Sequence, residues 1–337
     1  MACENLLELI RAEIRSQGPI TFARFMDLAL YSPDFGYYRV QHPFGPSGDY
    51  YTASQLQPVF GELVAALIEK LSRAEHAPDP YSVLDLGAGP ADLAKSLGRW
   101  PYLACDWRHH SLPATWSGLI WANEFFDALP VHLLEKKGSR WKELLVKEQG
   151  RRLVFHDAEL SNPELLEYAK EFGGPIPDGG RLEACLDVRN WMNRLWSVLE
   201  CGDLLIIDYG YAARELVRFP EGTLLSYRKH MALDDVLARP GEQDVTTHVN
   251  FEWLLMCASS AGFSLASNQM LSDWALSVGP RSHFEERWAA SSQKWRLQWK
   301  QIVFGLGQTF RVLHFRKVNR NKQEAYREFT MPRVRNE

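Results

Sequence analysis

The chain has little cysteine: five residues in 337 (Cys3, Cys105, Cys185, Cys201 and Cys257), far apart and with no C-x-x-C pair. That pattern excludes a disulfide framework and a structural zinc site, and it predicts a reducing compartment and no metal. No apolar run approaches the roughly 18 residues that would span a membrane, so no integral membrane segment is expected. An excess of positive charge is also missing. Against 38 Lys and Arg stand 42 Asp and Glu, a net −4, which argues against a nucleic-acid partner. Met1 to Gln17 contains Glu4, Glu8 and Glu13, unlike a secretory signal or an acid-poor organellar presequence. A cytoplasmic location is therefore expected.

What the chain does contain is a strand-length apolar run that stops at an acid and two glycines: Ser82-Val83-Leu84-Asp85-Leu86-Gly87-Ala88-Gly89-Pro90. A helical pattern resumes at Ala91 and closes at Gly98. This is the pattern of a first βα turn in a doubly wound sheet, where a nucleotide-like ligand lies on bare main chain. Pro90, and Asp92 at the place of a third glycine, depart from the dinucleotide motif. A phosphate-poor ligand such as S-adenosylmethionine suits the turn better than NAD. Asp85 is placed to take a cationic amino group, and the helix after it to take a carboxylate. The rival reading of Asp85 is a helix-capping acid.

Two further strand-like runs end in acids. Gly118–Ala122 leads into Asn123-Glu124-Phe125-Phe126-Asp127, and Asp203–Asp208 leads into Tyr209-Gly210. In an open α/β sheet such tips face one crevice, and gathered carboxylates suit a cationic, guanidinium-like substrate. Glu124 is the first candidate to grip a nucleophile and Asp127 the second. The structural alternatives are a hydrogen-bonded loop anchor for Asn123-Glu124 and a helix N-cap for Asp127.

Elsewhere, Leu6, Leu9, Ile10 and Ile14 mark an amphipathic helix closed by Gly18-Pro19, and Thr21 caps a second. A long loop rich in glycine and tyrosine precedes a helix ending near Arg73, with Ser54 and Gln57 as its capping box. Lys137-Gly138 reads as the turn of an antiparallel insertion. Phe284 to Val303 reads as one long helix with Trp288, Trp295 and Trp299 on one face. The expected organisation is a helical lid over residues 1–80, a core over 81–317 with the insertion at about 131–180, and a polar tail over 318–337.

Several segments occur in a telling order: Gly36-Tyr37-Tyr38, Gly48-Asp49-Tyr50-Tyr51-Thr52, Phe60-Gly61-Glu62, the Asp85–Gly89 turn, and Asn123-Glu124-Phe125-Phe126-Asp127-Ala128-Leu129-Pro130. After them come Asp208-Tyr209-Gly210, Gly222-Thr223-Leu224 and Asp244-Val245-Thr246-Thr247-His248-Val249. This order resembles the MidA-like family of S-adenosylmethionine-dependent methyltransferases, which includes protein arginine methyltransferases of respiratory complex I assembly. The resemblance spans roughly residues 18–317. It implies a class I, Rossmann-like methyltransferase fold acting on a protein substrate, plausibly arginine of a respiratory-complex subunit. It also implies that Asp85, Gly87, Ala88, Gly89 and Asn123 bind the cofactor, with the Gly48–Thr52 loop, which carries Asp49 and Thr52, closing over the site. Asn123, Glu124, Asp127 and Asp208 would sit near the transferred methyl. His248 would take a proton, orient a carboxylate, or serve only as a structural hydrogen-bonding residue.

The chain departs from the family in two places. Ala91 stands where the turn has its third glycine. Only about thirty residues separate Gly89 from Ala122, where a full class I sheet needs two strands with their helices. Tyr102–Asp106 supplies one strand and so predicts a shortened sheet edge. As the second strand it places Asp106 on the ribose hydroxyls; as the third, the ribose acid has been deleted. The ribose role is the one expected. The rival function is an assembly or binding protein that kept the fold and lost catalysis. A small-molecule methyltransferase rests on fold analogy alone.

Overall fold

Buried Leu6, Ile10 and Ile14 form the inner stripe of α1 (Ala2–Gln17), which the left-handed Gly18 ends. The structure is a computed structural model, and residues 2–40, 56–75, 77–106, 110–228, 231–278 and 287–317 of it are described here. After β1 (Ile20–Thr21), the Thr21 hydroxyl accepts from the Arg24 N–H at 3.1 Å and starts α2 (Phe22–Tyr31), as an N-cap should. Next come α3 (Tyr37–Val40) and α4 (Val59–Ser72). Ser54 lies outside the described residues; the N-cap position of α4 is Pro58 and not Gln57, though Gln57 Oε1 accepts from the Gly61 N–H in the first turn at 3.2 Å.

The glycine turn follows β2 (Ser82–Leu86), and α5 (Ala94–Leu97) is short and closed by Gly98 as expected, but starts at Ala94 and not at Ala91. Ala91 adopts φ +56°, a left-handed conformation that blocks helix geometry at that point. The chain continues through β3 (Tyr102–Cys105), β4 (Trp116–Asn123), β5 (His132–Lys137), β6 (Arg140–Gln149) and β7 (Arg152–Ala158). The Gly138 turn between β5 and β6 is as expected, with φ +61°. Then come α6 (Pro163–Phe172), β8 (Arg181–Ala184), α7 (Asp187–Val198) and β9 (Leu199–Tyr211). The remainder is β10 (Leu225–Arg228), β11 (Met231–Leu233), β12 (Asp244–Thr246), β13 (Val249–Asn250), α8 (Phe251–Ala261), β14 (Ser264–Met270), α9 (Leu271–Ser277), α10 (Gln293–Lys300) and β15 (Phe310–Lys317).

The Trp-bearing segment is not one long helix. Ser292 caps α10 by accepting from the Trp295 N–H at 3.2 Å, and the chain widens into a π turn over Gln301–Gly305. A serine that bonds its own backbone in this way competes with helix continuation. Among the described residues, no helix is long and apolar enough to cross a membrane.

Contacts divide the chain into two units. The first comprises Met1–Gln55, Glu124–Trp191 and Asp208–Cys257; the second comprises Leu56–Asn123, Met192–Ile207 and Ala258–Glu337. This division does not follow the boundary expected near residue 80, because α4 packs on α5 and α10 within the second unit. In the first unit, strands β1-β6-β5-β8 pair in that order, with β7 also on β6, all antiparallel. Leu6, Ile10, Phe22, Phe25 and Met26 share one core with Leu133, Leu144 and Val146 of this sheet. Each such side chain contributes on the order of 1.5–3 kcal/mol on burial. The insertion extends to β8, a little past residue 180.

In the second unit the strand order is β14-β15-β9-β4-β2-β3, with β3, β2, β4 and β9 parallel. β3 pairs directly with β2, so Tyr102–Cys105 is the strand next to the glycine turn, and Asp106 follows it. Among the described residues no strand lies beyond β3, and the sheet edge is short. Gly118, at φ +126°, marks a close approach: a Cβ there would lie 2.2 Å from the Ser82 carbonyl oxygen. The start of β9 is held by buried Asp203. It accepts from the Tyr81 hydroxyl at 2.8 Å, and its other oxygen meets His314 Nε2 at 2.6 Å and Arg316 Nε at 3.3 Å.

Candidate active site

The predicted cofactor residues of the second unit cluster at the ends of β2, β3 and β4. Gly87 and Gly89 take φ +74° and +53°, conformations costly for any residue with a Cβ, so the turn depends on glycine. Gly87 is exposed and leaves main chain open to a ligand, while its N–H is spent on the Cys105 carbonyl at 2.9 Å. Asp106 Oδ2 accepts from the Gly89 N–H at 3.0 Å, which ties the end of β3 to the turn. Asp85 is buried, and its Oδ2 accepts from the Tyr102 hydroxyl at 2.5 Å. Burial and Asp85 together push the Tyr102 phenol above its usual range, so it stays a donor. Asp85 thus braces the turn from beneath. α5 is one turn long and offers no helix N-terminus of the kind foreseen for a carboxylate. Asn123 ends β4, opposite Ile207 of β9. Asp49 and Thr52, with the loop that carries them, lie outside the described residues.

The predicted catalytic acids belong to the first unit. Glu124 is half-exposed and adopts φ +51°, the left-handed region that a side chain enters at a cost of about 1–3 kcal/mol. The loop is pinned two residues later, where the Phe126 N–H donates to Asp208 Oδ2 at 3.0 Å. Asp208 Oδ1 accepts from the Tyr209 N–H at 3.0 Å, so this fully buried carboxylate shapes its own surroundings. Asp127, 4% exposed, accepts from the Tyr209 hydroxyl at 2.5 Å through Oδ2. Its Oδ1 is buried and meets no donor at hydrogen-bonding geometry among the described residues.

Burial sets the electrostatics here. It lifts the Asp127 carboxyl to about 6, against the opposing hydrogen bond from Tyr209. Asp208 is pushed well above the carboxylate range by burial, then by the charges of Asp127 and Glu124. Burial and mutual repulsion thus favour the protonated forms of this pair, and an incoming cation opposes that preference. The structure therefore brings Glu124, Asp127 and Asp208 together in one cluster, and the N-cap reading of Asp127 does not apply, because no helix begins there.

His248 is half-buried with its ring edge-on to Tyr209 and Phe219. Burial, aided by Arg218, lowers its pKa and keeps the ring neutral at pH 7. Its main chain is anchored through Thr223, whose hydroxyl oxygen accepts from the His248 N–H at 3.0 Å. Thr223 is gripped in turn by buried Glu183, a residue the motifs do not mark. Glu183 accepts from the Thr223 N–H at 2.8 Å, the Leu224 N–H at 3.1 Å and the Thr223 hydroxyl at 3.1 Å. A lone acid in the apolar run Leu182-Glu183-Ala184-Cys185-Leu186 is the one sequence signal that pointed to it.

With this geometry in place, comparison with known proteins is informative. Residues 93–267, just over half of the chain, match the model of a family described as "Putative S-adenosyl-L-methionine-dependent methyltransferase". The chain is 27% identical over 323 residues to the protein arginine methyltransferase NDUFAF7 homolog, mitochondrial, of Drosophila melanogaster, covering 77% of this chain and 71% of that one. It is 25% identical over 320 residues to protein arginine methyltransferase NDUFAF7, mitochondrial, of Homo sapiens, covering 77% and 70%. A crystal structure from Burkholderia thailandensis, bound to S-adenosyl-homocysteine, superposes with a TM-score of 0.83 at 24% identity, covering 94% of this chain and 92% of that chain. A native crystal structure from the same organism gives 0.82 at 25% identity, with the same coverage. These likenesses establish the class I methyltransferase-like α/β fold.

Proposed function

The chain belongs to the S-adenosyl-L-methionine-dependent methyltransferase family whose model it matches, and from that premise we propose that it methylates an arginine side chain of a protein. The observation that carries this reading is the buried pair Asp127 and Asp208 beside Glu124, the last held in a left-handed backbone conformation. Arginine is cationic throughout the physiological range, and a guanidinium presents several N–H donors in one plane to such carboxylates. The names of relatives at 25–27% identity agree with it. The family resemblance extends the reading to a subunit of a respiratory complex as substrate, and the spaced cysteines support a cytoplasmic location.

When bound, S-adenosylmethionine would supply the methyl group from its sulfonium, leaving S-adenosylhomocysteine. The exposed Gly87 and half-buried Ala88, with Asp106 beside Gly89 and Asn123 at the end of β4, are the part of this chain that would hold it. Gly87 and Gly89 fit that task because a Cβ would both strain the turn and cover it. Asp106 follows the strand paired with β2, which supports assigning it the ribose hydroxyls. In the acid cluster, Glu124 orients the guanidinium by accepting its N–H groups, and Asp208 holds the Glu124 loop in place through the Phe126 N–H. The nitrogen that gains the methyl sheds one proton, and Asp127, with a pKa of about 6, is matched to receive it.

The test is methyl transfer from labelled S-adenosylmethionine into an extract lacking this protein, followed by amino-acid analysis. Methylarginine formed by wild type and not by Glu124→Gln is the expected result; label confined to lysine or to small molecules would dismiss the arginine reading. The short sheet edge favours a second reading, a docking protein that has lost catalysis. Calorimetry showing no binding at millimolar S-adenosylmethionine would select it.

A further inference from the structure

Asp127 has an uneven pair of oxygens. Oδ2 is engaged by the Tyr209 hydroxyl at 2.5 Å, whereas Oδ1 is buried without a donor among the described residues. An acceptor buried in that state costs roughly 1–3 kcal/mol unless something later satisfies it. The Ala128 and Asp127 amides lie close enough to favour the charged carboxylate but do not reach hydrogen-bond geometry with Oδ1. Tyr209 is itself well fixed. Its N–H is held by Asp208, its phenol is hydrogen-bonded by the Thr246 side chain, and its ring packs edge-on against His248. The loop after Asp127 is also tethered, with the Ala128 carbonyl accepting from the Tyr31 hydroxyl at 2.8 Å and the Asp127 carbonyl from the Thr247 N–H at 3.0 Å.

We propose that Tyr209 is a positioning residue: its hydroxyl pins one oxygen of Asp127 so that the other is left to accept an N–H of the methyl-accepting group. The inference rests on the arginine reading for the identity of that group, and on geometry alone for the role of Tyr209. Asp127 is faced by Asp208 and Tyr209 from β9, Glu124 from its own loop and Tyr31 from α2, with His248 behind the Tyr209 ring. Of these, Tyr209 is the one whose hydrogen bond favours the ionised form of Asp127, while burial opposes it.

Tyr209→Phe keeps the ring and removes the hydroxyl. Titration of the Asp127 carboxyl by carbon-13 NMR needs no substrate and should show its midpoint rising by about one pH unit, the worth of one hydrogen bond to a charged acceptor. The acidic limb of kcat/KM for an arginine peptide should rise with it, giving about a fivefold loss at pH 6 and little loss at pH 8.5. S-adenosylmethionine affinity should be unchanged. A loss of equal size at every pH, or an unmoved Asp127 midpoint, overturns the proposal and leaves Tyr209 a packing residue. If wild type methylates no arginine peptide, the functional reading falls instead, and the titration still decides whether Tyr209 governs Asp127.

Discussion

Replacing Asp127 by Asn should make the protein inactive and, above neutral pH, more stable. Burial raises Asp127 to about 6, roughly two units above an ordinary aspartate. Below about pH 4 the carboxyl is protonated in both folded and unfolded chains and contributes nothing to the pH dependence. Between about pH 4 and 6 the folded state keeps a proton that the unfolded chain releases, so stability falls as pH rises. Above pH 6 the full penalty is present, up to about 3 kcal/mol for a shift of this size. Asparagine has no proton to lose, and its amide oxygen can still accept from the Tyr209 hydroxyl. Urea unfolding of the two proteins should give a difference near zero at about pH 3.5 that grows in favour of Asp127→Asn, to as much as about 3 kcal/mol, at about pH 8. The companion assay is labelled methyl transfer, expected to be lost. Equal differences at both pH values, or a less stable variant at pH 8, would refute the view that this acid is held against its electrostatic preference.

Two other outcomes follow from the same structure. Glu124→Gly should relieve the left-handed backbone at position 124, raising stability by about 1 kcal/mol in chemical unfolding while removing methyl transfer; a destabilised variant would mean that the side chain supports the loop. Asp203→Ala should cost about 3–5 kcal/mol, because it strands the buried partners Tyr81 and His314. His314 and Tyr81 hold the Asp203 carboxyl below its usual range against burial, so its contribution is present above about pH 4 and is lost as pH falls through the lowered value. A parallel fall in wild type and variant stability on acidification would contradict that assignment.

Short-range sterics and periodicity were enough to read several parts of this chain from its residues. The glycine turn after β2, the Thr21 cap, the Gly138 hairpin and the acid at the end of β9 each depend on neighbours within a few positions. Those features carried the α/β class and the choice of a phosphate-poor nucleotide ligand. The pairing of Tyr102–Cys105 with β2 was left open, because a strand's partner is chosen by the whole sheet and not by its own residues. The late start of α5 is not legible in the sequence, because nothing in an alanine announces a positive φ at Ala91. The single long tryptophan helix failed for a related reason: Ser292 can either continue a helix or cap a new one, and its surroundings decide. The bond between Tyr209 and Asp127 joins residues 82 positions apart, and that between Glu183 and Thr223 joins residues 40 apart. Sequence supplied the acids, but only the folded chain decides which of their oxygens are satisfied and which are left to a substrate, since desolvation and hydrogen-bond geometry arise when distant segments close around them.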